Sequence, residues 1–165
     1  MYINRILSEI QTFLYPVYNK SLVLKNIDYL IFLSIILVII SSGVAQSDFI
    51  GYFALLSIGL TFVKLIVTPN EKFVLSVADK FLLAYFLFVL ISVAGSSLFL
   101  LSIKGFFKTV TYIGFYISFI HYIKDNRDKI KFILLTIALV VIGESFVALK
   151  QNFLAVSEIS GWQDV

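Results

Sequence analysis

FLLAYFLFVLISVAGSSLFLLSI, from Phe81 to Ile103, contains no charged residue and is closed by Lys80 on one side and Lys104 on the other. A helix rises about 1.5 Å per residue, so about 20 residues cross the roughly 30 Å hydrocarbon core of a bilayer. This run is long enough, and it is apolar on all sides. A barrel strand would alternate apolar and polar positions over about ten residues, and backbone polar groups in lipid must pair within their own segment. The run therefore predicts a membrane-spanning helix.

Four further runs read the same way. Tyr29 to Gln46 carries no charge. Phe49 to Val67 carries only Lys64, close enough to its end for the ammonium to snorkel to the interface, and Pro69 follows just beyond the helix. Phe106 to Ile123 holds Lys108 near its start and His121 near its end, and Ile130 to Leu149 holds Glu144. The expected fold is all-α, a polytopic membrane protein with an interfacial helix and about five transmembrane helices. Its spans fall at about 29–46, 49–67, 81–103, 106–123 and 130–149, one bundle over residues 29–150. Residues 1–28 form the interfacial segment, and residues 151–165 begin an outer-side loop.

Composition agrees. Of 165 residues, 60% are hydrophobic and 14% charged, with a mean hydropathy of +1.00, whereas a soluble domain is about a quarter charged. Soluble enzymes, disordered tails and disulfide scaffolds are excluded together. With no cysteine there is neither a thiol nucleophile nor a thiolate metal site, and the one histidine, His121, cannot form an imidazole cluster. No glycine-rich phosphate loop, His-Glu metal motif or catalytic triad is present, so no metal or cofactor is expected. The net charge of +3 and pI near 9.0 do not indicate nucleic acid, because the basic residues lie between apolar runs and not on a solvated face. Membrane lipids are the expected surroundings, in the cell's inner membrane.

The basic residues also orient the chain. With a cytoplasmic amino terminus, the inner side collects Arg5, Lys20, Lys25, Lys64, Lys72, Lys80, Lys124, Arg127, Lys129 and Lys131. The outer side keeps Lys104, Lys108 and Lys150, an imbalance that fits the positive-inside rule and places the carboxyl end outside.

In the first 28 residues, Ile3, Ile6, Leu7, Ile10, Phe13 and Leu14 share a helical face up to Pro16. Two readings fit: an interfacial helix on the cytoplasmic leaflet, or a short packing helix beneath the bundle. Gly43-Val44-Ala45 has the small residues of a cleavage site, but the segment before it is long for a signal peptide and carries Glu9 and Asp28. Gly43, Ser47 and Gly51, the pair Ser92 and Ser96, and the pair Gly114 and Ser118 have the spacing of close helix contacts.

Glu144 is the main candidate for an intramembrane functional group. An ionised carboxylate at a helix centre costs about 2.5–3.5 kcal/mol, so it should meet protein or water, or be protonated. It serves either as a proton or substrate group near the outer side, or as a carboxyl that pairs with a Ser or Thr hydroxyl or snorkels outward. Lys104, Lys108 and Lys150 flank outer helix ends, where they serve as interfacial anchors or meet an anion such as a lipid-linked pyrophosphate. His121 suits an interfacial polar position.

From Ile103 to Val165 the chain resembles the early part of O-antigen ligase-like membrane proteins, closest to their cyanobacterial branch of inorganic-carbon-transporter-like proteins. The resemblance rests on Lys104-Gly105 before a hydrophobic helix, the basic turn from Lys124 to Lys131, Leu149-Lys150-Gln151, and Trp162-Gln163-Asp164. It implies the amino-terminal part of a metal-independent glycosyltransferase acting on undecaprenyl-pyrophosphate-linked glycans, with Lys150 and Gln151 at marked positions. The ligases' essential Arg and His lie in a later outer loop, so no catalytic residue transfers. The other implied function is a bicarbonate transporter or transport accessory. In either case the chain is expected to be inactive alone and to work with a second half, separately encoded or lost from the reading frame.

Overall fold

The computed structural model describes residues 2–44, 47–69, 71–72 and 76–153, and all regular structure among them is helical. An amino-terminal helix, α1 (Tyr2–Lys20), and a single turn, α2 (Leu22–Lys25), precede five longer helices. These are α3 (Ile27–Val44), α4 (Ser47–Val67), α5 (Val77–Ala94), α6 (Phe99–Asp125) and α7 (Ile130–Phe153), with a 3-10 turn at Arg127–Lys129 leading into α7. Trp162, Gln163 and Asp164, and the loop expected after α7, lie outside the described residues.

Three segments, Phe49–Val67, Val77–Ala94 and Arg127–Lys150, are long and apolar enough to cross a membrane, and Ile27–Gly43 is a shorter apolar helix. Helix α6 is the longest at 27 residues, yet it is not among them. Lys104, Lys108 and His121 dilute it. The exposed side chains make the membrane reading physical. Helix α5 alone exposes Phe81, Leu83, Tyr85, Leu87, Phe88, Leu90 and Ile91. Covering a large apolar side chain is worth about 1.5–3 kcal/mol, so leaving these seven in water would forfeit about 10 kcal/mol, as much as a whole domain's stability.

The uncharged run that begins at Phe81 is not one helix. Helix α5 starts four residues earlier, where Ser76 and Asp79 form a capping box: Ser76 Oγ accepts from Asp79 N at 3.2 Å, and Asp79 Oδ2 accepts from Ser76 N at 2.6 Å. It stops at Ala94. Beyond Gly95, Ser96 Oγ accepts from Leu98 N at 3.2 Å and from Ser102 Oγ at 2.6 Å. Serine hydroxyls offer backbone donors an alternative to the helical ladder, and glycine is a poor helix former, so Gly95-Ser96-Ser97 turns the chain without any charge. Lys104 and Gly105 consequently lie inside α6 and do not mark a boundary between spans. Ser92 and Ser96 do not share a helix either.

Helix α3 is central. It packs on α4, α7 and α6, while α5 flanks α6. Ile27, Ile31 and Ile35 of α3 form the core with Tyr122 of α6 and Ile133 of α7, and the Phe32 and Tyr122 rings stack with centroids 6.1 Å apart. Small residues set the α4–α6 contact: Ser57 Oγ and Ser118 Oγ lie 3.1 Å apart, Thr61 also bonds Ser118, and a Cβ on Gly114 would come within 2.8 Å of Ile58 Cδ1. The face formed by Gly114 and Ser118 is thus a close helix contact. Gly43 makes another, under Val140 and Glu144 of α7, whereas Gly51 has open space beside it.

Helix α1 packs against the bundle along one edge and leaves an apolar stripe uncovered. Leu7 and Gln11 are buried and α1 packs on α4, but Ile6, Ile10, Phe13 and Val17 remain exposed as a stripe. The helix also runs through Pro16 and does not end there. A proline removes only one intrahelical hydrogen bond and kinks a helix that other contacts hold.

Candidate functional site

Lys64 is the only charge in the apolar part of α4, and its side chain is 4% exposed. Its Nζ lies 2.8 Å from Asp28 Oδ1, 3.0 Å from Glu71 Oε1 and 3.4 Å from Asp125 Oδ2. The expected snorkelling is therefore replaced by an inward turn toward protein acceptors. Four segments supply the cluster: the first turn of α3, the end of α4, the stretch after α4, and the end of α6. Their meeting brings the start of α3 and the ends of α4 and α6 to one end of the bundle.

Withdrawing one ammonium from water costs several kcal/mol, and three carboxylates at these distances offset it. His121, one turn before Asp125 on α6, brings Nε2 to 3.6 Å from Glu71 Oε2. The His121 ring first, and the Lys64 ammonium with it, hold the Glu71 carboxyl down to about 2, against burial, which pushes it up. Gln11 fixes the same stretch from α1, its Nε2 donating to Leu65 O at 2.8 Å and Glu71 O at 3.0 Å. Ligand atoms of Glu71, His121 and Asp125 lie within 4.8 Å of one another, a spacing that suits a metal ion. Lys64 already stands as the cation between two of those carboxylates.

None of these five residues was a leading candidate from sequence. They are separated along the chain and each looks like an ordinary residue at a helix end. The available signal was a lone lysine inside an apolar run, with acidic residues at the same-side ends of neighbouring runs.

The expected substrate-binding residues lie elsewhere. Lys104 and Lys108 are exposed on α6, and Glu144 and Lys150 are exposed on α7. Gln151 also falls in α7, with its side chain outside the described residues. Because α7 packs on α3 while α6 packs mainly on α4 and α5, these residues are not gathered into one site. Lys108 has a pocket of about 240 Å³, lined by Gly51, Tyr52 and Leu55 of α4 and by Phe107, Thr111 and Tyr112 of α6. Glu144 lines a separate groove between α3 and α7.

These features define, among the described residues, an all-helical protein with apolar helices of membrane-crossing length and a buried lysine held by carboxylates at one end of the bundle. No family model matches the chain, nor does any curated protein or solved structure.

Proposed function

We propose that the protein spans the inner membrane with its amino terminus and the Lys64 cluster on the cytoplasmic side, and that it holds an anionic, lipid-linked glycan at the opposite end. The observation that carries this reading is the Lys108 pocket. A cation, the Thr111 hydroxyl and the Tyr52 and Tyr112 side chains border one cavity whose remaining wall is Gly51, Leu55 and Phe107. That combination suits a pyrophosphate attached to a polyprenyl chain, because the charge meets a donor at the interface while the tail stays in lipid. The resemblance to O-antigen ligase-like proteins points to the same donor, undecaprenyl pyrophosphate carrying a glycan, and to glycosyl transfer as the reaction it serves. In this reading Lys108, with Lys104 nearby on α6, positions the donor, and acid-base work falls to other groups. Lys150 and Gln151, far along α7, serve a separate contact.

The test is binding of undecaprenyl pyrophosphate to the protein in nanodiscs. Lys108→Ala should weaken it by about tenfold, the value of one charge-assisted contact, and unchanged affinity refutes the assignment. Reporter fusions in the segments after α4 and after α6 should both be active on the cytoplasmic side.

A second reading, a bicarbonate transporter or transport accessory, draws on the Lys64 cluster. Intramembrane ionisable groups with named partners mark proton and ion paths. Proteoliposome uptake of labelled bicarbonate that is lost in His121→Ala favours this reading over donor binding.

A further inference from the structure

We infer that the groove between α3 and α7 is a binding site for a lipophilic cation, with Glu144 as its counter-ion. The inference rests on neither functional reading above, since the groove shares no residue with the Lys108 pocket or the Lys64 cluster. Ile36 and Ile40 of α3 face Leu139 and Val140 of α7 across a cavity of about 660 Å³. Small-molecule sites are of this size, roughly 300–1,000 Å³, mostly apolar and with few polar groups.

Two glycines shape the groove. At Gly43 a Cβ would meet Val140 and come within 3.1 Å of Glu144 Oε1, so the missing side chain lets the carboxylate lie over the α3 backbone. At Gly143 a Cβ would meet nothing within 4 Å, so the space beside Glu144 stays open.

The charge selects the occupant. Glu144 is the one ionisable group of the lining and is exposed. It lies six residues before Lys150, the end of an apolar segment long enough to cross a membrane, which is about 9 Å by helix rise. Its Oε1 lies beside Gly43, the residue before the last of α3. A carboxylate without a partner is costly where lipid and not water covers it. A neutral acyl chain would fill the walls and leave that charge unpaired, and an anion would be repelled. A cation with an apolar body satisfies both the walls and the carboxylate, and it can enter sideways from the bilayer.

The experiment uses the full chain in nanodiscs of zwitterionic lipid, titrated with tetraphenylphosphonium and with triphenylphosphine oxide as a neutral probe of similar bulk. Saturable binding of the cation is expected, with the neutral probe and the Glu144→Gln variant each at least about tenfold weaker. Gly143→Leu, which fills the groove without touching the charge, should weaken cation binding as well, and circular dichroism verifies that both variants fold. No saturable binding, equal binding by Glu144→Gln, equal binding of the neutral probe, or undiminished binding by Gly143→Leu overturns the inference. So does a wild-type dimer by light scattering that Glu144→Gln dissociates, because a second copy would then occupy the groove.

Discussion

Lys64 Nζ lies 2.8 Å from Asp28 Oδ1, with the lysine side chain 4% exposed and the aspartate 49% exposed. The two partners are therefore unequal. Removing the lysine leaves three carboxylates facing one another, whereas removing Asp28 leaves the ammonium with Glu71 and Asp125. Lys64→Ala should cost about 3–5 kcal/mol, the range for breaking a buried pair. Asp28→Asn should cost about 1 kcal/mol, because solvent screens a half-exposed partner. Unfolding by denaturant in mixed micelles, followed by circular dichroism, measures both. A reversed order would mean that the cluster is not organised around Lys64.

The pH dependence follows from Glu71. Its carboxyl is held at about 2 in the folded protein, against an ordinary value of 4.5. The unfolded chain thus binds the proton more readily, and Glu71 contributes stability that is complete above pH 4.5 and disappears as pH falls toward 2. The contribution is on the order of 3 kcal/mol. Unfolding measured between pH 6 and pH 2.5 should show this loss in the wild type and a smaller loss in Glu71→Gln, which has no charge to protonate. Parallel curves for the two proteins would contradict the ion cluster as described.

The two glycine contacts differ in what a methyl group would strike. At Gly114 it meets Ile58 Cδ1, the far end of a side chain that can rotate away. At Gly43 it meets a γ-methyl of Val140, held by a β-branched side chain that is stiff at χ1. Gly114→Ala should therefore cost less than about 1 kcal/mol and Gly43→Ala about 1–3 kcal/mol, the range for overpacking. The same unfolding measurement ranks them.

The helical positions were legible because their cause is local. Apolar runs bounded by charge place α3, α4 and α7 within a few residues. The ion cluster was not, because nothing near Asp28 in the chain announces Lys64, and their contact depends on which helix ends come together. His121 looked like an interfacial residue for the same reason: its partner Glu71 belongs to a segment between helices. Lys104, Lys108 and Lys150 were each visible, but sequence gives no information on which helix packs beside which. Lys108 lines a cavity formed with α4.

The end of α5 shows the limit of hydropathy most clearly, and it can be tested. Between Phe81 and Ile103 no charge marks a boundary, yet the helix stops at Ala94 because Ser96 takes the Leu98 N–H and the Ser102 hydroxyl. Ser96→Ala removes both bonds and should cost about 1 kcal/mol, as the loss of a capping side chain does. Replacing Gly95, Ser96 and Ser97 together by alanine and leucine removes every local reason to turn, since each new residue favours the helix by up to about 1 kcal/mol. The fused helix would carry Lys104 and Lys108 away from α4 and dismantle the pocket beside Tyr52. Cysteines at Tyr52 and Thr111, which line that pocket together, should cross-link in the parent and fail to do so in the triple replacement. Retained cross-linking would show that packing of α6 on α4, through Ser57 and Ser118, keeps the turn even where local propensity favours a continuous helix.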